Sequence, residues 1–427
     1  CMFDWANQSY NMVITSTIFP AYYVGITAVT KYGKNTVSFF GHKFINTVLQ
    51  NYILSISYLL IVITLPILTS LADYRGAKKT YLQLFTVLGS LACAGLFFLE
   101  EGGPVEFGMV CFGLATIGYC GGFVFYNSYL PQIASYDKQN DVSAKGFIYG
   151  FAGSIVVQLV CLIGVLFHDF FHITENKGAQ IAFIIVGLWW IGFAIIPFRL
   201  LPKGEPNAGS HKFNVWTGGF KELAKVFGKI KTMPLVKRFL PAFFFYSVGV
   251  QTIMLVAAEF AAKELHMKDD DLIAIILVIQ VVAILGAWLT SIASNKYGNT
   301  RALIVLVIFW TITCLCVYFI TNQPQFYVAA FAVGLVMGGV QSLSRSTYAK
   351  FLPQDIPDTA SYFSFYDATE KLSIVVGLAV FAKVEDWTGE MRDSALTLDG
   401  FFIIGLLLLF VLHFTERKIT RLEAVAT

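Results

Sequence analysis

Ser70-Leu-Ala-Asp-Tyr-Arg-Gly-Ala-Lys-Lys79 is a short basic turn between two apolar runs, and Ser291-Ile-Ala-Ser-Asn-Lys-Tyr-Gly-Asn-Thr-Arg301 repeats it in the second half of the chain. Each turn follows the second long apolar run of its half. The fourth run of each half carries a glycine pair, Gly121-Gly122 and Gly338-Gly339. Two features in one register mark an internal duplication. Two parallel six-helix repeats with a site between them are a transporter architecture.

Working outward, the 427 residues are 56% hydrophobic and 13% charged. A chain made for water carries about 25% charged residues, so this one is made for lipid. A helix needs about 20 apolar residues to cross a bilayer core of ~30 Å. Twelve such runs fill the chain, near residues 4–30, 44–71, 80–99, 106–135, 144–168, 179–200, 238–262, 272–294, 301–321, 325–351, 359–383 and 398–415. The first is too long for a cleavable leader and continues as a helix. The expected fold is therefore all-α, integral to the membrane, with an N-terminal six-helix bundle over 1–200, a cytoplasmic linker over 201–237 and a C-terminal bundle over 238–427. Of the thirty Lys and Arg, twenty fall on one side of these spans and eight on the other. The positive-inside rule then puts both termini in the cytoplasm, with the bacterial inner membrane as the expected location.

The linker opens with Pro202-Lys-Gly-Glu-Pro-Asn-Ala-Gly-Ser210, flexible by composition. Trp216, Phe220, Leu223, Phe227 and Ile230 then follow at helical spacing, with Lys221, Lys225 and Lys229 on other faces. That pattern predicts an amphipathic helix, lying on the inner leaflet or serving as a solvated connector. The seven cysteines sit mostly inside apolar runs and read as small hydrophobes, with no disulfide framework and no metal site. No phosphate-binding loop, nucleophile elbow or His-Glu-x-x-His is present, which argues against an enzyme or an ATP-driven pump. A net charge of +3 gives no reason to expect nucleic acid.

The spans near 325–351 and 359–383 carry Arg345, Asp367, Glu370 and Lys371. Each charge at membrane depth costs roughly 2.5–3.5 kcal/mol on insertion scales, so such residues mark function by default. Counting ~1.5 Å per residue from the inner ends sets Arg345 level with Asp367, ~9 Å deep, and Gln341 level with Lys371. The expectation is Arg345 beside Asp367, with Lys371 bonded to Asp367 at i,i+4. Glu370 is then the acid without a dedicated partner, suited to taking up and releasing protons. A static, neutral brace is the competing reading of all four. Gln341 and Ser344, within a turn of Arg345, are expected to touch solute, as are Asn127, Asn7 and Tyr366.

The turn at Asp73-Tyr-Arg75-Gly76-Ala-Lys78-Lys79 resembles the loop 2–3 signature of the major facilitator superfamily, with Thr69 at its leading glycine and Arg75 displaced by one place. That resemblance implies conformational gating by Asp73, Arg75 and Gly76. Asp4-Trp-Ala-Asn7-Gln-Ser-Tyr10, Tyr126-Asn127-Ser-Tyr-Leu-Pro131, Gly338-Gly-Val-Gln341-Ser-Leu-Ser344-Arg345-Ser346 and Phe365-Tyr366-Asp367 resemble the Atg22-like (UMF1) branch, which includes a yeast vacuolar amino-acid effluxer. The combined expectation is a monomeric secondary active transporter working by alternating access. It would move a small polar solute, an amino acid or related compound, with proton coupling through Glu370, Asp367 and Lys371 and no cofactor. The alternatives are a non-transporting sensor on the same fold, or a carrier of sugars or other metabolites.

Overall fold

The computed structural model describes residues 1–427 except 31, 167, 169, 171, 205–214, 268, 354–357 and 427; the side chains of 166, 215–223, 269, 270 and 423–426 also lie outside the described set. The linker from Glu205 onward, the side chains of Trp216, Phe220 and Leu223, and the turn at Asp355 therefore lie outside the described residues.

Helix α1 runs over residues 2–26. It is α-helical over Met2–Ser9, π-helical over Tyr10–Ile18 and α-helical again over Phe19–Ile26. Two small hairpins follow, where an all-helical chain was expected. Strands β1 (Val29–Thr30) and β2 (Gly33–Lys34) pair, as do β3 (Thr36–Phe39) and β4 (His42–Ile45). Asn35 and Gly41, both at positive φ, turn this polar stretch back on itself. Then come α2 (Asn46–Arg75), α3 (Lys78–Gly95), α4 (Glu106–Asn127), α5 (Gln139–Leu166) and α6 (Glu175–Leu200). The linker helix α7 is Val215–Thr232. The second set is α8 (Pro234–Leu265), α9 (Asp269–Tyr297), α10 (Asn299–Tyr318), α11 (Gln323–Phe351), α12 (Thr359–Thr388) and α13 (Met391–Ala426).

Among the described residues, ten helical segments are long and apolar enough to cross a membrane. The two expected spans outside that set have physical reasons. The π-helix divides α1 into short pieces, and α12 carries Asp367, Glu370 and Lys371 in its middle.

Contacts group the chain into two compact units, Cys1–Tyr126 with Tyr149–Asn207, and Asn127–Ile148 with Ala208–Thr427. The boundary differs from the expected bundles because the α4–α5 turn and the start of α5 bond to α9, α10 and α11. Asn140 Nδ2 donates to Asn299 Oδ1 at 2.8 Å, and Ser291 Oγ and Asn295 Nδ2 both donate to Asp141 at 2.7 Å. In the first unit, α3 packs on α6 and α1 on α6; in the second, α9 on α11 and α8 on α13. These crossings use small residues, as lipid-embedded helices do. A Cβ on Gly286 or Gly338 would run into the backbone of Leu335 or Ala283, so α9 and α11 touch backbone to backbone.

Helix α7 packs against α8 and α12. Val226 and Ile230 are buried against the protein, while Phe227 is 48% exposed and stacks on Phe365. Five cysteines (Cys93, Cys111, Cys120, Cys161 and Cys314) are buried thiols, and Cys316 is exposed.

Candidate functional site

The C-terminal half of α11 is buried on nearly every side although Ser342, Ser344, Arg345, Ser346 and Thr347 lie there. Hydroxyls on a helix can bond back to the preceding turn. Ser344 does so to Val340 O at 2.6 Å and Thr347 to Leu343 O at 2.6 Å. Arg345, 3% exposed, must look further. Its Nε donates to Ser143 Oγ at 2.9 Å, Nη2 to Ser143 O at 2.8 Å and Nη1 to Asn127 Oδ1 at 3.1 Å. The guanidinium also lies 4.6 Å above the Phe147 ring. These three hydrogen bonds go to neutral oxygens at the end of α4 and the start of α5.

This corrects the expected charge pairing. Asp367 makes no ion pair with Arg345 or Lys371 among the described residues. Lys371 Nζ instead pairs with Glu370 Oε2 at 2.8 Å, and Gln251 Nε2 of α8 donates to Glu370 Oε1 at 3.0 Å. Glu370, expected to lack a partner, has two. The long lysine stem sweeps round the helix to its neighbour, and Gln251 fixes that neighbour from α8. Asp367 is the acid left over, 1% exposed, with Oδ2 making no hydrogen bond. The charges of Glu370, Lys371 and Arg345 act on it and the Asn127 side chain reaches toward it, which places all five in one cluster.

The remaining candidates divide. Ser344 Oγ bonds the Tyr246 hydroxyl at 2.7 Å, and Tyr366, expected in a cavity, stacks on Phe243 at 4.3 Å and on Tyr348 at 5.2 Å. Both are built into the packing of α8, α11 and α12. Gln341 donates only to the Met254 sulfur, at 3.5 Å, and its Oε1 has no hydrogen bond; nor does Asn127 Nδ2. Sequence reasoning missed Ser143, Phe147 and Tyr246. The depth count gives the one available signal, since Ser143 lies a turn inside α5 at about the level of Arg345.

In the first unit, Asn7 is fully buried and neither amide atom is hydrogen-bonded. It lies just before the π-helical turns of α1, and such insertions gather at functional sites. Tyr10 donates to Phe112 O at 3.2 Å and stacks on Trp190. At the α2–α3 turn, Asp73 pairs with Lys78 at 3.1 Å, both buried, while Arg75 is exposed. Gly76 ends α2 at φ +64°, a conformation open to glycine at little cost. Gly298 occupies the same place in the second repeat at φ +88°.

This geometry is that of a multi-pass membrane protein with a buried polar cluster. The solved structures it resembles share the major facilitator fold. The human organic anion transporter MFSD10 aligns with a TM-score of 0.73 at 10% identity, covering 96% of this chain and 97% of that one. The fucose transporter FucP, solved in an outward conformation, aligns with a TM-score of 0.69 at 13% identity, covering 96% of each chain. Among curated relatives, the MFS-type transporter YxiO of Bacillus subtilis is 27% identical, over 96% of this chain and 92% of its own length. Autophagy-related protein 22 of Vanderwaltozyma polyspora is 24% identical, over 84% and 76%. The family described as "Vacuole effluxer Atg22 like" matches residues 1–421. The chain is a major facilitator superfamily transporter and belongs to the Atg22-like family.

Proposed function

We propose that this transporter moves a small zwitterionic solute, an amino acid or related compound, by alternating access, with proton movement through Asp367 and Glu370. One observation carries the reading. Among the described residues two buried acceptors of α11 and α12 make no hydrogen bond, Asp367 Oδ2 and Gln341 Oε1, and the neutral amide that reaches toward Asp367 is that of Asn127. Buried polar groups without partners are costly, so they call for a ligand that completes them. An ammonium group suits Asp367 and Gln341, the two open acceptors. The effluxer description of the family points the same way. We place the protein in a bacterial inner membrane with both termini cytoplasmic, on its loop charges.

The test is flux of labelled amino acids into proteoliposomes under an imposed pH gradient. Wild-type flux should follow the gradient, and Asp367→Asn and Glu370→Gln should each abolish that response. Undiminished pH-driven flux in both variants would remove the coupling role. Absence of flux for every zwitterion, with flux of a sugar, would remove the solute class.

A further inference from the structure

Asp399 lies eight residues into α13, ~12 Å from its start, in the second unit. It is 7% exposed, and neither carboxylate oxygen has a hydrogen-bond partner. Its chain neighbour Leu398 lines a small cavity of about 50 Å³ with apolar walls, to which Val256, Phe260, Val333, Phe381 and Cys314 also contribute. Cys314 links the two, since it lines the cavity and its thiol, which donates to Ala395 O, is also the side chain within weak hydrogen-bonding reach of Asp399.

Packing does not call for a carboxylate here, and the first unit shows why. There the third and sixth helices meet where the Cys93 thiol donates to Phe183 O at 3.5 Å. In the second unit the equivalent helices meet where the Cys314 thiol donates to Ala395 O at 3.3 Å. One helical turn past the carbonyl, the first unit has Gly187, where a Cβ would come within 2.8 Å of Ser90 O. The second unit has Asp399 at that step. The same helix contact is thus built once with no side chain and once with an ionisable one.

The charged groups at the outer ends of the helices packed on α13 are engaged with one another. Glu259 pairs with Lys263 and Lys263 with Glu385, Lys383 pairs with Asp386, and Arg392 on α13 itself pairs with Glu264. On α10 the titratable neighbours are Cys314, Cys316 and Tyr318, and Cys314 is the one that acts on Asp399. A metal cation needs several oxygen donors, and one carboxyl beside a thiol and hydrocarbon does not supply them. A proton needs a single oxygen. An intramembrane carboxylate that pairs with no basic group among the described residues is a functional site by default.

We propose that Asp399 is a proton-binding site of the second unit, separate from the acids of α12. Uptake forms one O–H bond on the carboxylate with a proton drawn from bulk water, and release reverses it. The inference stands apart from the reading of the α11–α12 cluster, and its test requires no knowledge of the solute.

Infrared difference spectroscopy on the purified full chain in lipid reads this directly. Wild type minus Asp399→Asn should show the carbonyl stretch of a protonated carboxylic acid that fades reversibly as pH is raised. Asp367→Asn should leave that band in place, and Cys314→Ala should shift it. If Asp399→Asn does not fold, Asp399→Glu supplies the same difference by moving the band. Spectra of the variant and wild type that superimpose at every pH would overturn the proposal. So would a band that does not respond to pH.

Discussion

At the scale of single residues, the two acids of α12 differ in what their removal leaves behind. Glu370→Gln removes the carboxylate paired with Lys371 in a buried setting, and breaking such a pair costs about 3 kcal/mol or more. Asp367→Asn removes a carboxylate whose Oδ2 is unpartnered, and its stability should stay within about 1 kcal/mol of wild type. Thermal unfolding of the two variants side by side checks this, and equal losses would contradict the geometry. Arg345→Lys keeps the charge but gives up the forked contact with Ser143 and Asn127. It should cost about 2 kcal/mol, read as a lower melting temperature. The residues of this site were legible in the sequence, because charge is conspicuous among apolar neighbours. Their pairing was not. Arg345 bonds a serine 202 positions earlier in the chain, a juxtaposition that periodicity along one helix does not encode.

At the scale of elements, glycine sets how closely the helices meet. Gly286→Leu or Gly338→Val would push a side chain into the facing backbone and force α9 and α11 apart. Overpacking of this kind costs roughly 1–3 kcal/mol or more, visible as lower yield and an earlier thermal transition than for Gly192→Ala, where a Cβ meets nothing within 4 Å. Many helix spans were readable to within a few residues, the run near 44–71 emerging as Asn46–Arg75, but the run near 398–415 is a helix over Met391–Ala426 and the helix expected over 106–135 ends at Asn127. The hairpins at 29–45 escaped because strands of two to four residues leave little alternation to detect. The π-helical turns of α1 depend on packing around Tyr10 and Asn7, which a hydropathy run does not report.

For the whole molecule, the duplication visible in the two basic turns extends to geometry. Gly76 and Gly298 both close their helices at positive φ, and Asn295 stands where the first repeat has Asp73. The acid of the second turn is supplied by Asp141 from α5. The proposed orientation makes a prediction at this scale. A cysteine at Glu101 should react with a membrane-impermeant maleimide in intact cells, whereas one at Arg421 should react only after the cells are opened; the reverse order would invert the topology. Such an experiment normally begins by removing every native cysteine, which can cripple a membrane protein. Here Cys93, Cys111, Cys120, Cys161 and Cys314 are closed off by burial. The reagent background therefore reduces to Cys1 and Cys316, and two substitutions should give a chain in which one installed thiol reports alone.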